Sequence, residues 1–144
     1  MVKVLVVDDE PQVRGAIADT LARAGFDVAT ARNGRLAVEL LRDWDADLVI
    51  TDIVMPEQDG IATILALRRF ARPPKIIAVS EAGGGARGTY LKWALKLGAD
   101  EVMAKPVQAG TLVATIRRVL AGGEVAELPL PPQLEFDFDR RLSA

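Results

Sequence analysis

Four short apolar runs constrain this chain more than any other feature, because each ends on a polar residue of a definite kind. Val2 to Val7 runs into Asp8 and Asp9, and Leu48 to Thr51 runs into Asp52. Ile76 to Val79 ends at Ser80, and Glu101 to Ala104 ends at Lys105 and Pro106. Short, β-branched, nearly uninterrupted apolar runs are the pattern of strands buried on both faces of a parallel sheet. Laid parallel, they gather their C-terminal ends at one edge, and open α/β sheets bind ligands at that edge. Here it collects three carboxylates, a hydroxyl and an ammonium.

The segments between the runs supply the remaining elements. Val13, Ile17, Leu21 and Ala24 recur at helical spacing after Pro11, which suits a first helical turn, and Gly25 ends that helix. Phe26 to Ala31 reads as a further, alternating strand. Asn33-Gly34 reads as a turn, and Leu36, Leu40 and Leu41 as the buried stripe of a second helix closed by Trp44. Ile61, Ile64, Leu65 and Leu67 open a third helix, stopped by Pro73 and Pro74. After Ser80, four glycines in the eight residues 81–88 predict a mobile connection. Tyr90 to Leu97 is a fourth helix capped by Gly98, and Leu112, Ile116, Val119 and Leu120 mark a fifth. Five strands alternating with five helices predict an α/β fold with a doubly wound parallel sheet and right-handed crossovers.

Composition narrows the chemistry. The 144 residues are half hydrophobic, which suits one domain with a sizeable core. A formal charge of −2 and the absence of any basic stripe argue against a nucleic-acid surface. Without cysteine there is no disulfide framework or thiolate metal site, and without histidine there is no imidazole base or ligand. No apolar run is long enough to span a bilayer, and the first run starts at Val2, so the expected setting is the cytoplasm, with no membrane partner.

Asp8, Asp9 and Asp52 brought within a few ångströms repel one another and call for a cation. A few carboxylates plus water is the Mg2+ style of site. With the cation present, one carboxylate can attack phosphorus and form an acyl phosphate. The charge developing on the phosphoryl oxygens then calls for an ammonium and a hydroxyl, the types that Lys105 and Ser80 offer. An aspartate at a strand end is ordinarily a cap or turn residue. Five such groups at successive strand ends are not explained that way.

These residues resemble the receiver domain of two-component response regulators. The resemblance rests on Asp8-Asp9, on Asp52 followed by Met55-Pro56 and Asp59-Gly60, on Ser80, and on Lys105-Pro106, and it covers residues 1–121. It implies a flavodoxin-like sheet in the order 2-1-3-4-5. It implies that Asp52 is the phosphoacceptor, charged by a histidine kinase or histidine phosphotransfer protein. Mg2+ would be held by Asp9, Asp52 and the backbone carbonyl of Val54, with Asp8 acting through water. Lys105 would pair with the phosphoryl group, Ser80 would be the switch, and the bond to Pro106 would be cis.

Two positions depart from the family pattern. Val102 stands where the family has Tyr or Phe, so the usual aromatic reporter is missing; Tyr90 and Trp93 on the fourth helix are the alternatives. Glu81 follows the switch hydroxyl where a small residue is usual, and its carboxylate is expected to slow transfer from small phosphodonors. Val54 offers no side chain to position an attacking water.

The favoured reading is therefore a stand-alone receiver acting on a protein target, not an enzyme in the ordinary sense. Phosphorylation-dependent dimerisation is compatible with it. A receiver-like interaction module no longer switched by phosphorylation is the alternative that Val102 and Glu81 keep open. An aspartyl phosphatase or phosphotransferase needs a second acid where Val54 stands. Residues 122–144 are expected to form a flexible tail with no output domain, or a linker cut before one. Leu134, Phe136 and Phe138 alternate with Glu135, Asp137 and Asp139 there, as in a strand that could join a sheet edge.

Overall fold

The computed structural model describes residues 1–53, 60–81, 92 and 94–122, with the Glu81 side chain left aside. The strands are β1 (Lys3–Val7), β2 (Asp27–Ala31), β3 (Leu48–Asp52), β4 (Lys75–Glu81) and β5 (Glu101–Lys105). The helices are α1 (Pro11–Arg23), α2 (Gly34–Asp43), α3 (Gly60–Arg68), the helical residues 94–97 (α4) and α5 (Ala109–Leu120). The strands form one parallel sheet in the order β2-β1-β3-β4-β5.

Strand alternation divides the core in two. Leu5, Val7, Val49, Ile76 and Ala78 face Ala37 and Leu41 of α2, Ile64 and Leu67 of α3, and Ala94. Val4, Val6, Leu48, Ile50, Ile77 and Val79 face Ile17 and Leu21 of α1 and Leu112, Ile116 and Val119 of α5. Every residue of β3 is buried. Each fully buried Leu or Ile contributes about 1.5–3 kcal/mol, so the central strands fix the register on which the site depends. Two aspartates also tie strand starts together. Asp47 accepts the Lys3 amide at 2.8 Å, and Asp100 accepts the Ile76 amide at 2.8 Å.

Three local readings are corrected. Asn33 and Gly34 do not form a hairpin-type turn. Asn33 is the N-cap of α2, its side-chain oxygen accepting the Leu36 amide at 2.8 Å, and Gly34 is the first helical residue. That bond satisfies a helix-end donor that nothing else in the helix can reach. Leu65 is 45% exposed, because Thr63, Ile64 and Leu67 carry the buried side of α3. In α2 the buried positions are Gly34, Ala37 and Leu41, while Leu36 and Leu40 are only partly covered. The glycine-rich connection, Tyr90, Trp93, Val54 and the tail beyond Gly122 lie outside the described residues. Among the described residues no helix is long and apolar enough to cross a membrane.

Candidate functional site

The register of the sheet assembles the site. Val7 pairs with Thr51, so Asp8 and Asp52 follow on neighbouring strands, and Asp52 itself pairs with Val79, one step before Ser80. Ser80 pairs with Ala104, one step before Lys105. The carboxylates of Asp8, Asp9 and Asp52 each offer an oxygen within 4.8 Å of the others. Asp8 and Asp52 are buried, and Asp9 is more open. Lys105 Nζ donates to Asp8 Oδ2 and to Asp52 Oδ2, both at 2.9 Å. Ser80 is 1% exposed at the end of β4. The Lys105–Pro106 peptide bond is cis.

Asp8 is fixed from several sides. Its Oδ1 accepts the Glu10 amide at 2.9 Å, its own amide donates to Ala31 O, and its carbonyl accepts from the Arg14 guanidinium at 2.9 Å. Thr51 Oγ1 donates to the Asp52 carbonyl at 2.9 Å. Sequence reasoning passed over Arg14 and Thr51. Both act on backbone carbonyls, and no residue pattern announces such a bond.

Gly60 is required by close approach. Its amide donates to Ile53 O at 2.6 Å, and a Cβ there would collide with the Asp52 carbonyl oxygen and with Ile53 Cα. These are backbone atoms, which cannot turn aside. Gly60→Ala is expected to destabilise the fold by about 2 kcal/mol and to displace Asp52. Gly110→Ala, with open space around it on α5, is expected to gain about 0.5–1 kcal/mol. Urea unfolding of the two variants checks the contrast.

The electrostatics follow from the count of charges. Three carboxylates against one ammonium leave two negative charges in a set of hard oxygen donors. That donor set suits a small divalent cation such as Mg2+. Burial pulls the Lys105 pKa down, but the hydrogen bonds and charges of Asp52 and Asp8 outweigh it, so the pKa is raised overall. A raised folded-state pKa means stability fully present below the ordinary value of 10.5 and lost as pH climbs through the folded value. The difference in unfolding free energy between wild type and Lys105→Met should stay level from neutral pH to the ordinary lysine pKa, then change against wild type above it. Urea titrations across that range measure it.

The atypical Val102 is buried, pairs with Ala78, and shares an apolar cluster with Ala94 and Ala99. The main chain of Glu81 pairs with Lys105 in the ladder.

Residues 4–117 match the response regulator receiver domain family, and the chain belongs to that family. It is 38% identical over 122 residues to the transcriptional regulatory protein CpxR of Escherichia coli K12, covering 83% of this chain and 50% of that protein. The chain thus spans about half the length of the CpxR relatives it matches. It is 35% identical to the chemotaxis protein CheY of Bacillus subtilis, covering 82% of this chain and 97% of that one. Among solved structures, chemotaxis protein CheY4 of Vibrio cholerae superposes with a TM-score of 0.76 at 30% identity, covering 83% and 98% of the two chains.

Proposed function

We propose that this protein is a phosphorylation-switched receiver. In this reading Asp52 accepts a phosphoryl group, in a Mg2+-dependent reaction in the cytoplasm, from a phosphohistidine on a histidine kinase or phosphotransfer protein. The receiver then acts through contacts with another protein. The observation that carries this is the placing of Lys105 Nζ 2.9 Å from both Asp8 and Asp52, with Asp9 beside them. The match covers nearly the whole of CheY and half of CpxR, so it supports the receiver activity that this domain carries, with or without a partner domain.

In the proposed step a carboxylate oxygen of Asp52 attacks phosphorus. The donor P–N bond breaks, its electron pair stays on the imidazole nitrogen, which takes up a proton, and a mixed anhydride remains on Asp52. Asp8, Asp9, Asp52 and the Val54 carbonyl would hold Mg2+, which when bound supplies positive charge against the phosphoryl oxygens. Once Asp52 is phosphorylated its carboxylate charge is gone and the negative charge sits on the phosphoryl oxygens. Lys105 then keeps Asp8 and turns its second contact to a phosphoryl oxygen. Ser80, one ladder step from Lys105, donates its hydroxyl to another.

Val102 favours a second reading, a receiver-like module that binds its partner without a phosphorylation switch, because the reporter position is filled by a short core side chain. Radiolabel transfer from a panel of phosphorylated histidine kinases separates the two. Label on wild type but not on Asp52→Ala supports the switch. No transfer from any kinase supports the module.

A further inference from the structure

One edge of the sheet lies beside the site. β2 lies at the end of the sheet, with β1 on its inner side. Asp27 N–H donates to Val2 O, and Ala31 O accepts from Asp8 N–H, so the odd-numbered positions address β1. By the alternation of a strand, the main-chain N–H and C=O groups of Val28 and Thr30 point outward. An open depression of about 520 Å³ lies at the C-terminal end of this edge, beside Thr30, Ala31 and Arg32, and is two-sided in character. Toward α1 it is lined by Arg14, whose guanidinium also donates to the Asp8 carbonyl, and by Arg32, which follows β2; toward α2 it is lined by Leu36 and Leu40. The acid on the α2 side, Glu39, is already paired with Arg35 at 3.3 Å.

A strand fitting this edge needs acids on one face and apolar side chains on the other. The chain contains one: Glu135, Asp137 and Asp139 alternate with Leu134, Phe136 and Phe138. We propose that Leu134 to Asp139 docks in cis as an added strand on the outer edge of β2, acids toward Arg14 and Arg32, apolar residues over Leu36 and Leu40. Main-chain bonds to Val28 and Thr30 hold it, and the two faces set its register. The reach is sufficient. Residues 123–133 can span up to about 36 Å, while the diagonal from β5 to the position outside β2, five strand spacings away, is about 29 Å.

The test is residue-resolved amide exchange by NMR on the full chain. Wild type is compared with the triple variant Glu135→Lys, Asp137→Lys, Asp139→Lys, with Arg32→Glu, and with all four changes combined. The expected result is exchange at Val28 and Thr30 at least about tenfold slower in wild type than in the triple variant. Arg32→Glu should lose part of that protection, and the combined charge swap should regain it. Three results overturn the proposal: no dependence of Val28 and Thr30 on tail charge, tail-dependent protection at residues 101–105 instead, or protection that grows with protein concentration. The last would assign the strand to a second copy.

Discussion

Replacing Lys105 with Met is expected to slow phosphoryl transfer to Asp52 by at least about 100-fold, the usual loss when one preorganised donor to developing charge is removed. The same change should strengthen Mg2+ binding by about three- to tenfold, because a nearby like charge no longer opposes the cation. The ammonium is bonded to both Asp8 Oδ2 and Asp52 Oδ2. A divalent ion must share those carboxylates with it. Calorimetric Mg2+ titration and transfer kinetics therefore move in opposite directions. A variant that merely misfolded would lose both, so the split separates a role in transfer from a role in holding the site together.

Arg118→Met is expected to destabilise the fold by about 3 kcal/mol, because it strands a buried carboxylate. Glu101 opens β5 with its side chain 1% exposed, and Arg118 on α5 reaches it at 2.6 Å while remaining 29% exposed itself. The other Glu101 oxygen accepts the Val102 amide at 3.3 Å. The pair thus ties α5 to β5, the strand that delivers Lys105. For a domain of this size the loss corresponds to a melting temperature lower by about 10 °C. The double variant Glu101→Leu, Arg118→Met should recover most of it, since replacing a whole buried pair with apolar groups is often neutral. Differential scanning calorimetry of the three variants measures both effects.

The strands and the edge they share were legible in the sequence for a physical reason. A parallel strand buried on both faces must be apolar nearly throughout, so its polar end stands out. The step from Val7 to Asp8, from Thr51 to Asp52 and from Ala104 to Lys105 is visible without any structure. What the sequence concealed lies in longer-range and main-chain chemistry. Glu101 and Arg118 are 17 residues apart, and nothing in either segment marks the bond between them. The Arg14 bond to the Asp8 carbonyl is equally silent. Asn33 and Gly34 misled because that dipeptide serves turns and helix starts alike, and only the Leu36 amide decides between them. Leu65 fits a helical period with Ile61, yet the sheet lies on the side of Ile64 and Leu67.

On the proposed function, Asp52 is a Mg2+-dependent phosphoacceptor. Intact-protein mass spectrometry tests it most directly, on wild type and Asp52→Ala incubated with acetyl phosphate or a phosphorylated histidine kinase, with and without Mg2+. The expected result is one phosphoryl adduct that needs both Mg2+ and the Asp52 carboxylate. An adduct of equal yield on Asp52→Ala, or none on wild type from any donor, would contradict it.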